Sequence, residues 1–130
     1  MGTIIQGKIW GSTSEVFNGN NVSVNRIEIK EGSCCSIHKH NHKSNIFFLE
    51  SGSIKIQEWK NDYDLVDETT LGKGEANSVP PGNYHRFIGL EDSVVYEIYH
   101  VQLNSNDITR KDVGKEKYEG DNLRNNRSGR

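Results

Sequence analysis

No stretch of this chain is apolar enough to cross a bilayer as a helix. The longest uninterrupted apolar run is Ile46 to Leu49, far short of the ~20 residues that a spanning helix needs. The N-terminus lacks a basic segment leading into an apolar one, the pattern of a secretion signal, so the cytoplasm is the expected compartment. A field of positive charge is missing too. There are 16 Lys and Arg against 18 Asp and Glu, a formal net charge of -2. With no polybasic cluster, neither nucleic acid nor a membrane surface is an expected partner. Cysteine is scarce, and Cys34 and Cys35 are neighbours. Adjacent Cα atoms lie ~3.8 Å apart, below the ~4.4 Å of the tightest ordinary disulfide. No second cysteine cluster completes a zinc site, so the pair reads as free thiols of a reducing compartment. Apolar residues make up 32% of the 130. That low share suits a thin-walled β-structure, or a polar terminal segment, in a chain of one domain's length.

What is present is strand signal without repeats or a long helical period. Val22, Val24, Ile27 and Ile29 alternate with polar residues, with a slip near Arg26 that reads as a bulge. Glu31-Gly32-Ser33 marks a turn, and Cys34 to His40 reads as the next strand. Further strands are expected at Ile46 to Glu50, Ser53 to Trp59, Asn77 to Val79, His85 to Ile88 and Ser93 to Leu103. Turns separate them, at Ser51-Gly52, Asn61-Asp62 and Pro80-Pro81-Gly82. Many short strands between turns indicate a sandwich or barrel. Residues 1–112 are read as that barrel, and 113–130, rich in Gly, Asn and charge, as a polar and disordered tail. Phe47 and Phe87 are expected in the core.

Histidine carries the chemistry. His38, His40 and His42 stand at alternate positions, and His85 follows the Pro-Pro-Gly turn. Residues two apart on a strand share a face, so His38 and His40 aim into one cavity. A metal needs such convergent nitrogens, and His85 on another strand closes a set of three. A single histidine is ordinarily a surface or core residue; the frame around these raises them above that. Gly32-x5-His38-x-His40-x4-Asn45-x6-Gly52 and Gly74-x5-Pro80-x-Gly82-x2-His85 resemble the two cupin motifs. The resemblance implies an all-β cupin double-stranded β-helix, a jelly-roll-type barrel, holding a divalent metal ion such as zinc, nickel, manganese or iron. Carried over position by position, the ligands are His38, His40, His85 and the residue at 45. The family's usual Glu is Asn45 here, a neutral carbonyl donor, and its usual Asn four places after the last histidine is Gly89. His42 is read as a polar rim residue.

The flanks are similar to small sugar-directed cupins of the type II mannose-6-phosphate isomerase kind. The matching pieces are Ile9-Trp10-Gly11, Val24-x-Arg26-Ile27-x-Ile29-x-x-Gly32, Glu97-Ile98-Tyr99 and Asp107-Ile108-x-Arg110-x-Asp112. In that family the first histidine position is often Gln and the Glu is kept, so this chain departs at His38 and Asn45. Glu97 interrupts an apolar strand; it is read as a general base or as the partner of Arg26. Arg26, Lys43, Tyr99 and Arg110 are the candidate substrate contacts, cations suiting a phosphate or carboxylate. Three functions stay open: an isomerase-like metal enzyme acting on a sugar or sugar phosphate, a non-catalytic module binding a small polar or sugar ligand, and an iron-dependent dioxygenase. A homodimer is expected, since pairing would cover exposed sheet edges.

Overall fold

β-Branched and aromatic residues at alternate positions favour a pleated surface with one apolar face, and nine segments among the described residues form strands. The computed structural model describes residues 5–60, 65–101 and 110. Its strands are β1 (Ile5–Lys8), β2 (Gly11–Asn18), β3 (Val22–Ile29), β4 (Ser44–Ser51), β5 (Ile54–Trp59), β6 (Val66–Leu71), β7 (Ala76–Val79), β8 (Tyr84–Gly89) and β9 (Ser93–His100). They form a six-stranded sheet, β1-β2-β3-β9-β4-β7, and a three-stranded sheet, β6-β5-β8. Every pairing of strands is antiparallel. Among the described residues no helix is long and apolar enough to cross a membrane. The all-β barrel expected from the sequence is therefore the observed architecture.

The two sheets face each other across one core. It is built from Ile27 and Ile29 of β3, Phe47 and Leu49 of β4, Ile54 and Ile56 of β5, Leu71, Val79, Phe87 and Val95. β3, β4 and β5 each supply alternate residues to it, as the pleat requires. Trp10 covers one end of this core, its ring set edge-on to Phe87 at 4.9 Å. The last strand, β9, lies between β3 and β4 in the middle of the larger sheet, whereas β1 forms one of its edges.

Three details differ from the sequence reading. Cys34 to His40 is not a continuous strand; it is an extended segment touching β8 through two isolated bridges, Cys34 with Ile88 and His38 with His85. The bulge lies not in β3 but opposite it: β2 shifts register between Glu15 and Phe17, while β3 pairs β9 without interruption through Arg26. The apparent slip arises because Val22 and Val24 lie on the face opposite Ile27 and Ile29. Strands β1, β2 and β6 give no apolar alternation; β1 is exposed throughout, and only Leu71 of β6 is buried. The polar tail, and Asp107, Ile108 and Asp112, lie outside the described residues.

Gly52 joins β4 to β5 with φ of 92°, a conformation side-chain-bearing residues rarely adopt. A Cβ there would strike the Ser93 hydroxyl and the Asp92 carbonyl. The same Ser93 hydroxyl accepts from the Ser53 amide at 3.0 Å. Gly52→Ala is expected to cost ~1–3 kcal/mol in urea unfolding; an unchanged midpoint would contradict the turn. Burial pushes the Cys35 thiol up to about 12, whereas Cys34 is exposed. Alkylation needs the thiolate. Iodoacetamide at pH 8 should modify Cys34 of the folded protein and leave Cys35 untouched until denaturant is added, as peptide mass spectrometry would reveal.

Candidate metal centre

The site begins with a backbone contact. His38 and His85 exchange both amide–carbonyl hydrogen bonds: the His38 amide donates to the His85 carbonyl at 3.1 Å, and the His85 amide donates back at 2.8 Å. Directly paired residues place their side chains on the same face. His40, two residues on, returns to that face. The Gly82 amide donates to the His40 carbonyl at 2.8 Å, tying the Pro-Pro-Gly turn to the same segment. The three rings consequently converge, with centroid separations of 5.1 Å for His38–His40, 4.7 Å for His38–His85 and 5.5 Å for His40–His85. One nitrogen from each lies within 4.8 Å of the others.

Hydrogen bonds decide which nitrogens face inward. Nδ1 of His85 lies 3.0 Å from the Asn83 carbonyl, and Nδ1 of His38 lies 2.9 Å from the Ser36 carbonyl. A carbonyl oxygen only accepts, so each ring carries its proton on Nδ1 and keeps a lone pair on Nε2. Burial draws His85 below the usual histidine range, although the Asn83 carbonyl opposes it. Burial, reinforced by His38 and Lys43, lowers His40 to about 4. These two rings are neutral near pH 7, the form a metal requires.

Asn45 stands beside them on β4 with no exposed surface. Its Nδ2 donates to Oε2 of Glu97 at 3.3 Å. Its Oδ1 is left without a partner, as are Nε2 of His40 and Nε2 of His85. Buried polar atoms are ordinarily satisfied. Two orphaned ring nitrogens in one histidine cluster, and an orphaned amide oxygen on β4, are what a divalent cation would satisfy, so the residues present fit a metal ion. Nitrogen donors with one neutral oxygen suit zinc, nickel, iron or manganese better than calcium.

Glu97 faces the same interior from β9. Burial pushes its carboxyl above the ordinary range, against the hydrogen bonds it receives from Tyr99 and Asn45. Burial, and then Glu97, raise the Tyr99 hydroxyl, which stays protonated. His38, Glu97 and Tyr99 line a cavity of about 380 Å³ together with Gln6, Lys8 and Asn25. Lys43 Nζ lies 4.1 Å above the Tyr99 ring, in a neighbouring hollow that Tyr99 also lines. A larger hollow of about 440 Å³, lined by residues such as Glu28, Lys30 and Asp92, contains none of the histidines.

The structure thus brings together His38, His40, His85, Asn45, Glu97, Tyr99 and Lys43. It separates Arg26, whose guanidinium pairs with Glu28 at 2.7 Å on the outer face of β3. Arg26 is not the partner of Glu97; its neighbour Asn25 is the residue of β3 that reaches the cavity. Arg110 is exposed, and His42 lies exposed in a bend outside the cluster. Two residues escaped the sequence reading. Asn25 stands two before Ile27, and Glu58 two after Ile56, so the period of two marks both as inward-facing polar positions.

Comparison with known proteins agrees with this geometry. A family model described as Cupin matches residues 6–116. The chain is 26% identical over 106 residues to a mannose-1-phosphate guanylyltransferase of Sinorhizobium fredii, covering 78% of this chain and 19% of that protein. Among solved structures it resembles the capsular polysaccharide assembling protein CapF from Staphylococcus aureus, with a TM-score of 0.68, 21% identity and coverage of 82% of this chain and 30% of that one. Oxalate decarboxylase of Bacillus subtilis gives a TM-score of 0.68 at 17% identity, covering 82% and 29%.

If the three imidazoles are the ligands, chelator-stripped protein should regain thermal stability with zinc or manganese. At an ion concentration ~100 times Kd the gain is ~2.7 kcal/mol. His85→Ala and His40→Ala should abolish that gain, and His42→Ala should keep it. A stripped His85→Ala protein that is still stabilised would place the ion elsewhere.

Proposed function

The chain belongs to the cupin family, and on that footing we propose that its barrel binds a sugar or sugar phosphate beside a divalent metal ion and moves a proton on it, as an isomerase does. The observation that carries this reading is the sharing of one cavity of about 380 Å³ by a half-buried carboxylate, Glu97, a half-buried phenol, Tyr99, and His38 of the histidine cluster. That volume lies within the ~300–1,000 Å³ typical of small-ligand sites. The names of similar proteins support the substrate class: one acts on mannose 1-phosphate and another assembles capsular polysaccharide. Because the chain spans 19% of the guanylyltransferase, nucleotidyl transfer itself is not carried over.

His38, His40, His85 and Asn45 would hold the ion, and a divalent ion so held supplies a Lewis acid for a substrate carbonyl. The Mn(II) centres named for oxalate decarboxylase are consistent with manganese as one candidate. The remaining work falls to the chain's own groups. Glu97, whose carboxyl burial raises above the ordinary carboxylate range, takes the proton from the carbon beside the carbonyl and returns it to the former carbonyl carbon, while the hydroxyl proton of the first carbon passes to the former carbonyl oxygen. The Tyr99 hydroxyl, donating to Glu97, fixes that carboxylate's direction. Lys43, above the Tyr99 ring, attracts the phosphate of a phosphorylated substrate. Polar Asn25 and Gln6 offer hydrogen bonds to ring hydroxyls.

Proton exchange in deuterated water, followed by NMR over a panel of aldose and ketose phosphates, tests the reading. Metal-loaded protein should exchange the proton next to the carbonyl, and Glu97→Gln should slow that exchange ~10²–10⁴-fold. Lys43→Ala should raise KM for phosphorylated sugars and leave their unphosphorylated forms unaffected. Ligand binding without exchange across the panel would leave a binding module instead. Oxygen consumption with iron bound would favour the dioxygenase reading.

A further inference from the structure

Glu58 ends the inner face of β5, after Ile54 and Ile56, and is 5% exposed. A carboxylate in that position costs free energy unless it is hydrogen-bonded, and the proton transfer above does not use it. Its partner is Asn83, whose Nδ2 donates to Glu58 Oε2 at 2.8 Å. The carbonyl of the same Asn83 accepts from Nδ1 of His85 at 3.0 Å. Across the sheet Glu58 is the register partner of His85 itself. A continuous relay therefore runs from the buried carboxylate through one asparagine to one of the three imidazoles.

Its effect follows from the turn that contains Asn83. Residues 80–83 connect β7 to β8, and only a correctly oriented Asn83 peptide offers its oxygen to His85. The Asn83 side chain anchors that peptide to Glu58. With the anchor in place, His85 is held with the proton on Nδ1 and the Nε2 lone pair turned into the cluster. We propose that Glu58 is a positioning residue of the metal centre, which through Asn83 orients His85 for the ion. The inference rests on the metal-binding half of the function proposed above and is independent of the substrate. It also gives the barrel a carboxylate one residue removed from a donor set that, with Asn45, carries no formal charge. Groups that orient a metal-bound imidazole typically contribute ~10–100-fold in affinity.

The test is metal affinity of the full chain, measured by competition with a chromogenic chelator, with the absorption spectrum of the cobalt-substituted protein as second readout. Glu58→Ala and Asn83→Ala should each weaken zinc and cobalt binding ~10–100-fold and alter the cobalt spectrum. Glu58→Gln keeps an oxygen for Asn83 and should restore most of the affinity. Glu68→Gln, on an exposed strand outside the relay, should behave as wild type. Full affinity and an unaltered cobalt spectrum in folded Glu58→Ala overturn the inference. Where Glu58→Ala does not fold, Asn83→Ala decides: it cuts the relay while leaving the carbonyl in the chain, and wild-type affinity there overturns the inference equally. Wild-type protein that binds neither ion overturns the metal centre as a whole, an outcome separable from failure of the relay alone.

Discussion

The exchange of two backbone hydrogen bonds between His38 and His85 is the constraint on which the site depends. Each such bond contributes only ~0.5–1.5 kcal/mol, but together they fix a register. That register sets two imidazoles side by side, edge to face, and, through the period of two, brings in a third. It also ties an otherwise irregular segment, residues 34–40, to the edge of the smaller sheet. The amide of Cys35 donates to the Phe87 carbonyl, and the amide of Gly89 to the Ser33 carbonyl, so the same seam continues from the histidines down into the apolar core. The histidine cluster and barrel closure thus share one set of main-chain contacts.

Charge is arranged around this seam in layers. The innermost donors are three imidazoles, of which burial lowers His40 and His85, and an asparagine oxygen. The negative charge sits one hydrogen bond further out, at Glu97 behind Asn45 and at Glu58 behind Asn83. A cation held by such a set is less fully compensated than one held by a carboxylate directly, and it polarises an oxygen ligand more strongly for that reason. The cost is weaker intrinsic attraction for the ion, which makes correct orientation of each neutral donor more important.

The histidine set and the barrel were legible in the sequence because glycine, proline and histidine spacings encode backbone events: turns at Gly52 and Gly82, and a bridge between two fixed positions. Phe47 and Phe87 were legible from alternation alone. Arg26 was misread for a physical reason. It stands between Val24 and Ile27 in the sequence, but those two lie on opposite faces, and Arg26 shares the outer face of Val24, where it meets Glu28. Strands β1, β2 and β6 were invisible because they have little or no core face to pattern. Glu58 was passed over because a charged residue near a strand end ordinarily belongs to solvent; only its register opposite His85 reveals otherwise.

The cavity wall is divided between two kinds of strand. His38, Phe87, Glu97 and Tyr99 belong to elements woven into the core, whereas Gln6, Lys8 and Thr13 come from β1 and β2, at the open margin of the larger sheet. Substitutions on the first kind disturb folding and chemistry together. Substitutions on the second change little besides the lining. The histidine cluster is thus fixed by the fold, while the margin is only loosely tied to it, so what the barrel selects can be altered separately from what holds its histidines.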